Sequence, residues 1–178
     1  MREFVEAECE RHGLDRHLYI HEAGHAVAAI DQRIPFGQVT IYDENGGPQF
    51  GDGLFHAAAA IEMLSNDPTT WVPTDSVASL RFILAGAMTE TALLGHAIED
   101  GYKEDFNLWR RGLHKTDAMT PSELDQQAGG NFLAELDRVE GWARENSERI
   151  KRLAARLAEL TRPGCISYED VVTLLDER

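Results

Sequence analysis

Apolar residues recur three and four positions apart in three long stretches of the chain, and this spacing predicts a mainly helical protein. The first long helix is predicted over residues 16–32, with Asp15 as its N-terminal cap and Pro35 beyond its end. The other two are predicted over residues 76–94 and 132–160. Shorter helices are predicted for residues 57–64, the segment that carries Asp105, the segment after Pro121, and residues 168–175.

A stretch between the first two long helices has the composition of β-structure instead. Residues 38–42 are rich in β-branched and aromatic side chains, and the sequence Asn-Gly-Gly-Pro at 45–48 favours a turn. A second short strand is predicted over residues 51–56. The expected fold class is therefore mainly α with a small β-hairpin or meander. A chain of 178 residues can build one sizeable core, so we expect a single domain over 1–178, with 1–14 as a polar N-terminal extension.

The charge balance narrows the classes of partner. The net charge of −14 repels nucleic-acid phosphates and anionic lipid headgroups, so we expect neither nucleic acid nor a membrane surface as partner. Every apolar run is interrupted before it reaches the length that spans a bilayer. Cys9 and Cys165 form no Cys-x-x-Cys pattern, which fits reduced thiols. These features favour a soluble, cytoplasmic protein.

The first long helix contains the sequence His21-Glu22-Ala23-Gly24-His25. Positions four apart share one helix face, so His21 and His25 can present ring nitrogens to one metal ion. Glu22 lies roughly 100° round the helix, beside the metal, where it can take a proton from a zinc-bound water. This is the arrangement of the zincin motif. Two histidines on one face also occur as an exposed pair or as hydrogen-bonded core groups.

The surroundings of the motif favour the metal site over these alternatives. The residues around the two histidines are apolar nearly all round the helix, which indicates a buried element. Buried histidines need polar partners or a metal. Gly24 costs about 1 kcal/mol relative to alanine inside a helix, and close packing of another backbone at this position would explain it.

A tetrahedral catalytic zinc needs a third protein ligand in addition to the two histidines. Asp105 precedes apolar residues that can bury its helix against the core, whereas Glu99 and Asp100 lie in a predicted loop, where fixing a ligand costs more conformational entropy. Glu104 should point about 100° away from Asp105 if both are helical. From the residues alone, Asp105 as a ligand and Asp105 as a simple helix cap remain equally good interpretations. The full set of candidates is His56, Glu90, His96, Glu99, Asp100, Glu104 and Asp105.

Several motifs together resemble the peptidase domain of the FtsH family of AAA+ zinc proteases. His21-Glu22-Ala23-Gly24-His25-Ala26 is similar to the family's active-site helix, and Glu104-Asp105-Phe106 falls where the family has Asn-Asp-Leu, whose Asp is the third zinc ligand. Further similar segments are Val39-Thr40-Ile41 and Gly53-Leu54-Phe55, which look like its hairpin, Leu84 to Glu90, which looks like its Ala-Gly-Arg-Ala-Ala-Glu helix, and Ile150 to Val172, which looks like its C-terminal helices. The family's ATPase phosphate loop and its membrane anchor have no counterpart in the sequence.

The resemblance implies a single-domain zincin that acts as a zinc-dependent endopeptidase. Because the phosphate loop is missing, we expect it to act without ATP, on flexible or unfolded polypeptide. It implies that His21, His25 and Asp105 bind Zn²⁺, with Glu22 as the catalytic base. Glu90 resembles a carboxylate that accepts a hydrogen bond from a ligand histidine, although it also fits an ordinary helix residue. Residues 51–56 form a candidate edge strand for pairing with an extended substrate, and Gly53, Leu54 and Phe55 are its predicted substrate-binding residues. A homo-oligomer or a separate ATPase partner also fits the resemblance.

Two other functions fit the same sequence features. The fold can bind a peptide or partner while zinc only holds the structure together, but such a module has no physical need for Glu22. The chain can also be a zincin that cleaves one dedicated regulatory protein, because specificity depends on the shape of the groove.

Overall fold

A computed structural model of the protein describes the backbone of residues 2–43, 49–50, 55–56, 59–64, 76–98, 105 and 130–177, and the side chains of 15–43, 59–64, 77–98, 105 and 130–177. The fold is mainly helical with a small antiparallel sheet. The helices are α1 (Arg2–Asp31), α2 (Ser76–Leu94), α3 (Phe132–Glu145), α4 (Ser147–Ala158) and α5 (Tyr168–Asp176). The strands are β1 (Phe36–Ile41), β2 (Gln49–Phe50), β3 (Phe55–His56), β4 (Ala59–Met63) and β5 (Gly164–Ser167).

Helix α1 lies at the centre of the fold, where it packs against α2 and α4. Between Ala23 and Ala29 its apolar side chains are buried, and small residues such as Ala23 and Ala26 let neighbouring helices approach closely. A close approach occurs at Gly24, where an added Cβ would lie 2.6 Å from Thr89 Oγ1 and 3.0 Å from the carbonyl oxygen of Ala85. The prediction that another backbone packs at Gly24 is confirmed.

A three-stranded antiparallel sheet covers one side of the helices, with β1 in the middle and β4 and β5 on either side. In this register Val39 pairs with Ile61 on β4 and with Ile166 on β5. Strands β2 and β3 form a separate two-stranded hairpin. The prediction of a small β element is therefore confirmed, but β1 pairs with β4 and β5 and not with the predicted strand 51–56, of which Phe55–His56 lies in β3. The sequence did not reveal β5, which is too short to show an alternating pattern.

The helix predicted over residues 57–64 is wrong, because β4 occupies Ala59–Met63. Alanine and glutamate favour a helix locally, but pairing with β1 outweighs that preference. Glu62 contributes to this pairing through its carboxylate, which accepts hydrogen bonds from Gln38, Thr40 and Tyr42.

Two predicted helices have different bounds in the structure. Helix α1 begins at Arg2 and not at residue 16, so Asp15 lies within the helix and is not its cap. Instead Asp15 Oδ1 accepts a hydrogen bond from Arg162 at 2.9 Å. The helix predicted over 132–160 is divided at Asn146, which separates α3 from α4. The carbonyl oxygen of Trp142 accepts two hydrogen bonds from Asn146, one from its backbone N–H at 2.9 Å and one from its side-chain amide at 3.0 Å.

Two other predicted helices have bounds close to the predicted ones. Helix α2 has the predicted bounds, and α5 runs one residue past its predicted end. Ser167 caps α5 by accepting a hydrogen bond from the backbone N–H of Asp170 at 3.1 Å. Asp105 is helical, whereas the rest of its predicted helix and the segment after Pro121 as far as Gly129 lie outside the described residues.

Among the described helices, α2 contains the one segment that is long and apolar enough to cross a membrane, Val77–Leu94. The fold buries 56% of this window. The window also carries charged side chains with partners in the fold. Arg81 forms an ion pair with Glu135 on α3, and Glu90 contacts histidines on α1. These contacts are those of a core helix.

Candidate metal centre

Three atoms that can bind a metal, two from α1 and one from a distant part of the chain, meet beside the C-terminal half of α1. The Nε2 atoms of His21 and His25 are 3.0 Å apart, as expected for residues one helical turn apart that face the same way. Asp105 Oδ2 lies 3.0 Å from Nε2 of His21 and 3.1 Å from Nε2 of His25. The structure therefore brings together the three residues predicted as metal ligands.

The other nitrogen of each ring has a fixed partner, and this determines which atoms face the centre. Nδ1 of His25 is 2.8 Å from the carbonyl oxygen of Phe82, which can only accept, so Nδ1 carries a proton. Nδ1 of His21 is 2.7 Å from Oε1 of Glu90 and donates to that carboxylate. In the metal-binding form, in which each ring carries a single proton on Nδ1, the Nε2 lone pairs face each other and Asp105.

Three electron-rich atoms at these distances repel each other unless positive charge lies between them. A proton on one Nε2 can bridge to one neighbour at a time, so it leaves a third acceptor facing lone pairs. A metal ion can bind all three. The centre of this triangle of atoms is about 1.8 Å from each corner, less than the roughly 2.0–2.2 Å at which zinc binds nitrogen and carboxylate oxygen. Two imidazole nitrogens and a carboxylate oxygen that converge this closely would hold a zinc ion, so the residues fit zinc.

The electrostatics of the centre also attract a cation. Burial lowers the pKa of His21, but Asp105 and Glu90 outweigh that effect and raise the pKa well above its usual value. Burial raises the pKa of Asp105, but His25 and His21 outweigh it and hold the pKa well below its usual range. The same carboxylates that favour a proton on His21 favour a metal ion in its place.

Gly86 on α2 faces the two ligand atoms and leaves room at the centre. A Cβ added there would lie 2.5 Å from Nε2 of both His21 and His25, closer than any real Cβ contact. Any other residue would therefore place a methylene or methyl group against the lone pairs that would hold the ion. In the sequence, Gly86 appeared only within the longer motif Leu84 to Glu90. A glycine inside an otherwise apolar helix is the signal that could have singled it out.

Glu22 is the acidic residue of the motif, and it is 7% exposed. Burial raises its pKa, while His21 and His25 lower it and Asp105 and Glu90 raise it. Glu22 directly follows His21 on α1, roughly 100° round the helix, and the charges of these four side chains all act on its carboxyl group. A carboxyl group with a raised pKa is suited to accept and return a proton.

Glu90 lies behind His21, as the sequence analysis expected. It is 2% exposed, and it receives hydrogen bonds from His21 Nδ1, from His17 Nδ1 and from the backbone N–H of Ile98. Burial raises the pKa of Glu90, but the hydrogen bonds from His21, Ile98 and His17, together with the charge of His21, outweigh burial and lower it. Glu90 is therefore an ionised acceptor that fixes the tautomer of His21.

The remaining candidates differ in what the structure describes of them. His96 is exposed, and its ring packs against that of His17 and not against the centre. Phe55 lies in β3, opposite Phe50. The residues outside the described part of the chain are Gly53, Leu54, Glu99, Asp100 and Glu104, and the side chain of His56 lies outside it as well.

Comparison with known proteins adds no family to this picture. A scan against protein-family models and a search of curated proteins both found no match to the chain.

Proposed function

We propose that the protein is a zinc-dependent endopeptidase of the zincin type that resembles the FtsH peptidase domain. The observation that carries this proposal is the convergence of three acceptor atoms, from His21, His25 and Asp105, beside the buried carboxyl group of Glu22. Two histidines and one carboxylate also suit iron(II). Glu22 favours hydrolysis, because a carboxyl group beside an open zinc position is what proton transfer from a water requires.

Each residue has a distinct role in this proposal. Zinc would supply the charge that lowers the pKa of a water molecule to about 7. His21, His25 and Asp105 would hold the ion, and Glu90 would keep the ring of His21 in its binding orientation. Glu22 takes a proton from the attacking water and gives it to the leaving amine of the peptide.

The sheet offers a place for an extended polypeptide. Within the described residues, β4 pairs only with β1, so its outer edge carries backbone groups that a substrate strand can bond. The end of β4 at Ala59 pairs with Ile41, next to Tyr42. Burial raises the pKa of Tyr42 to about 12, and Glu62 and Glu22 add to this shift. Strand β4 also contacts α1, the helix that carries the motif. We propose that the outer edge of β4 binds substrate. We also propose that Gly53, Leu54 and Phe55 contact the substrate, as the resemblance implies.

The experiment that tests the proposal measures metal content and cleavage on the same purified chain. Elemental analysis should find about one zinc and little iron per chain. Unfolded casein should be cleaved without ATP, and a chelator should stop the reaction until zinc is restored. Zinc without cleavage would favour the partner-binding module, and iron in place of zinc would contradict the proposed hydrolysis.

A further inference from the structure

A third histidine of α1 continues the series of the two proposed ligands. His17 is four residues before His21, as His21 is four residues before His25, so all three lie along one helix face. His17 is 9% exposed. Its Nδ1 is 3.2 Å from Oε2 of Glu90, whereas His21 uses the other oxygen of the same carboxylate, Oε1, at 2.7 Å.

The carboxylate of Glu90 is thus held from two sides. Oε1 receives one hydrogen bond, from His21, and Oε2 receives two, from His17 and from the backbone N–H of Ile98 at 2.6 Å. Because a carboxylate has only acceptor atoms, each of these nitrogens donates. The two bonds to Oε2 determine how the carboxylate plane is turned, and that plane sets the position at which Oε1 meets His21.

The ring of His17 is itself held in place. On its open side it packs against the ring of His96, with the ring centroids 4.6 Å apart and the planes tilted by 54°. His96 immediately precedes the stretch whose backbone donates to Glu90 through Ile98. The segment that follows α2 therefore closes over both His17 and Glu90.

We propose that His17 is a positioning residue of the metal centre, which orients Glu90 so that Glu90 can orient the ligand His21. This inference rests on the proposed metal site, but it concerns His17, which is neither one of the proposed ligands nor the proposed base, Glu22. Removing a direct hydrogen-bond partner of a metal ligand typically weakens metal binding by 10-fold to 100-fold. His17 is one step further from the metal, so we expect a loss of about tenfold, at the lower end of that range.

Two substitutions separate the hydrogen bond from the shape of the ring. His17→Phe keeps a ring against His96 but removes the donor, and it should weaken zinc binding about tenfold in competition with a chromophoric chelator. His17→Asn places an amide nitrogen near the position of Nδ1, and it should restore most of the affinity. The absorption spectrum of the cobalt-substituted protein should change in His17→Phe and return toward the parent in His17→Asn. A merely structural role would not produce this pattern.

The control is His96→Ala, which removes a ring contact of His17 but none of the hydrogen bonds that Glu90 accepts from His17, His21 and Ile98. It should bind zinc within about twofold of the parent. If His17→Phe does not fold, His17→Gln replaces it as the test variant. Its amide lies one bond further from the backbone than that of His17→Asn, so the Gln variant should bind zinc more weakly than the Asn variant. Parent-like affinity in His17→Phe, or equal losses in Phe and Asn variants, would overturn the inference alone. A parent chain that binds no zinc would overturn the metal site as well.

Discussion

Substitution of Gly86 by alanine gives the sharpest structural test of the centre. The added Cβ would lie 2.5 Å from Nε2 of His21 and of His25, where ordinary contacts are 3.4–4 Å. Both rings are anchored at Nδ1, by Glu90 and by the carbonyl oxygen of Phe82, so they cannot turn away without losing a hydrogen bond. The two helices must therefore separate by about 1 Å, or the rings must leave their positions.

The expected magnitudes differ for stability and for metal binding. Overpacking costs about 1–3 kcal/mol, but alanine gains about 1 kcal/mol over glycine inside a helix. The metal-free Gly86→Ala protein should therefore be less stable by no more than about 2 kcal/mol and remain folded. Zinc affinity should fall at least 100-fold, because the damage is to the ligands themselves and not to their partners.

The assay combines chelator competition for zinc with thermal unfolding in the presence and absence of zinc. Zinc should stabilise the parent strongly and Gly86→Ala only weakly. The matched control is Gly141→Ala in α3, where an added Cβ has no neighbour within 4 Å. The free energy of unfolding of Gly141→Ala should rise by up to about 1 kcal/mol, and the variant should bind zinc like the parent. Parent-like zinc affinity in Gly86→Ala would refute the reasoning.

Three further predictions concern the ligand set, the packing of α1 and the substrate. Asp105→Ala should lose most of its zinc while staying folded and Glu104→Ala should keep it, as measured by elemental analysis; the reverse would assign the ligand to Glu104. Gly24→Ala should be less stable by up to about 2 kcal/mol in urea unfolding, because its Cβ would press on Thr89 while alanine favours the helix by about 1 kcal/mol, and adding Thr89→Ala should recover part of the loss. Independent, additive effects would contradict this contact. Without ATP, the chain should digest unfolded casein but leave a stably folded protein intact on a gel, because no phosphate loop is present to drive unfolding.

The sequence predicted most of the helical framework, because long periodic patterns reflect burial directly. Helix α2 has the predicted bounds, and the spacing of His21 and His25 placed both on one face. The strand at Ala59–Met63 was mistaken for a helix, since its stability comes from pairing with β1 and not from local preference. Short-range pattern carries no information about such distant partners.

The candidate site shows the same division. The motif on α1 could be read directly, and the resemblance was needed to choose Asp105, which is 80 residues away in sequence from His25. His17 and Gly86 were missed as parts of the centre. Their roles depend on contacts between α1 and α2, to Glu90 in one case and to the imidazole rings in the other, and these contacts exist only once the helices are packed.

We propose that Glu22 acts in catalysis at a zinc ion that other residues hold. The most direct measurement compares Glu22→Gln with the parent for zinc content and for casein cleavage in the same preparation. The substitution removes the base but no ligand, so the variant should retain about one zinc per chain and lose cleavage. Equal cleavage by the variant and the parent, or loss of zinc from the variant, would contradict the account.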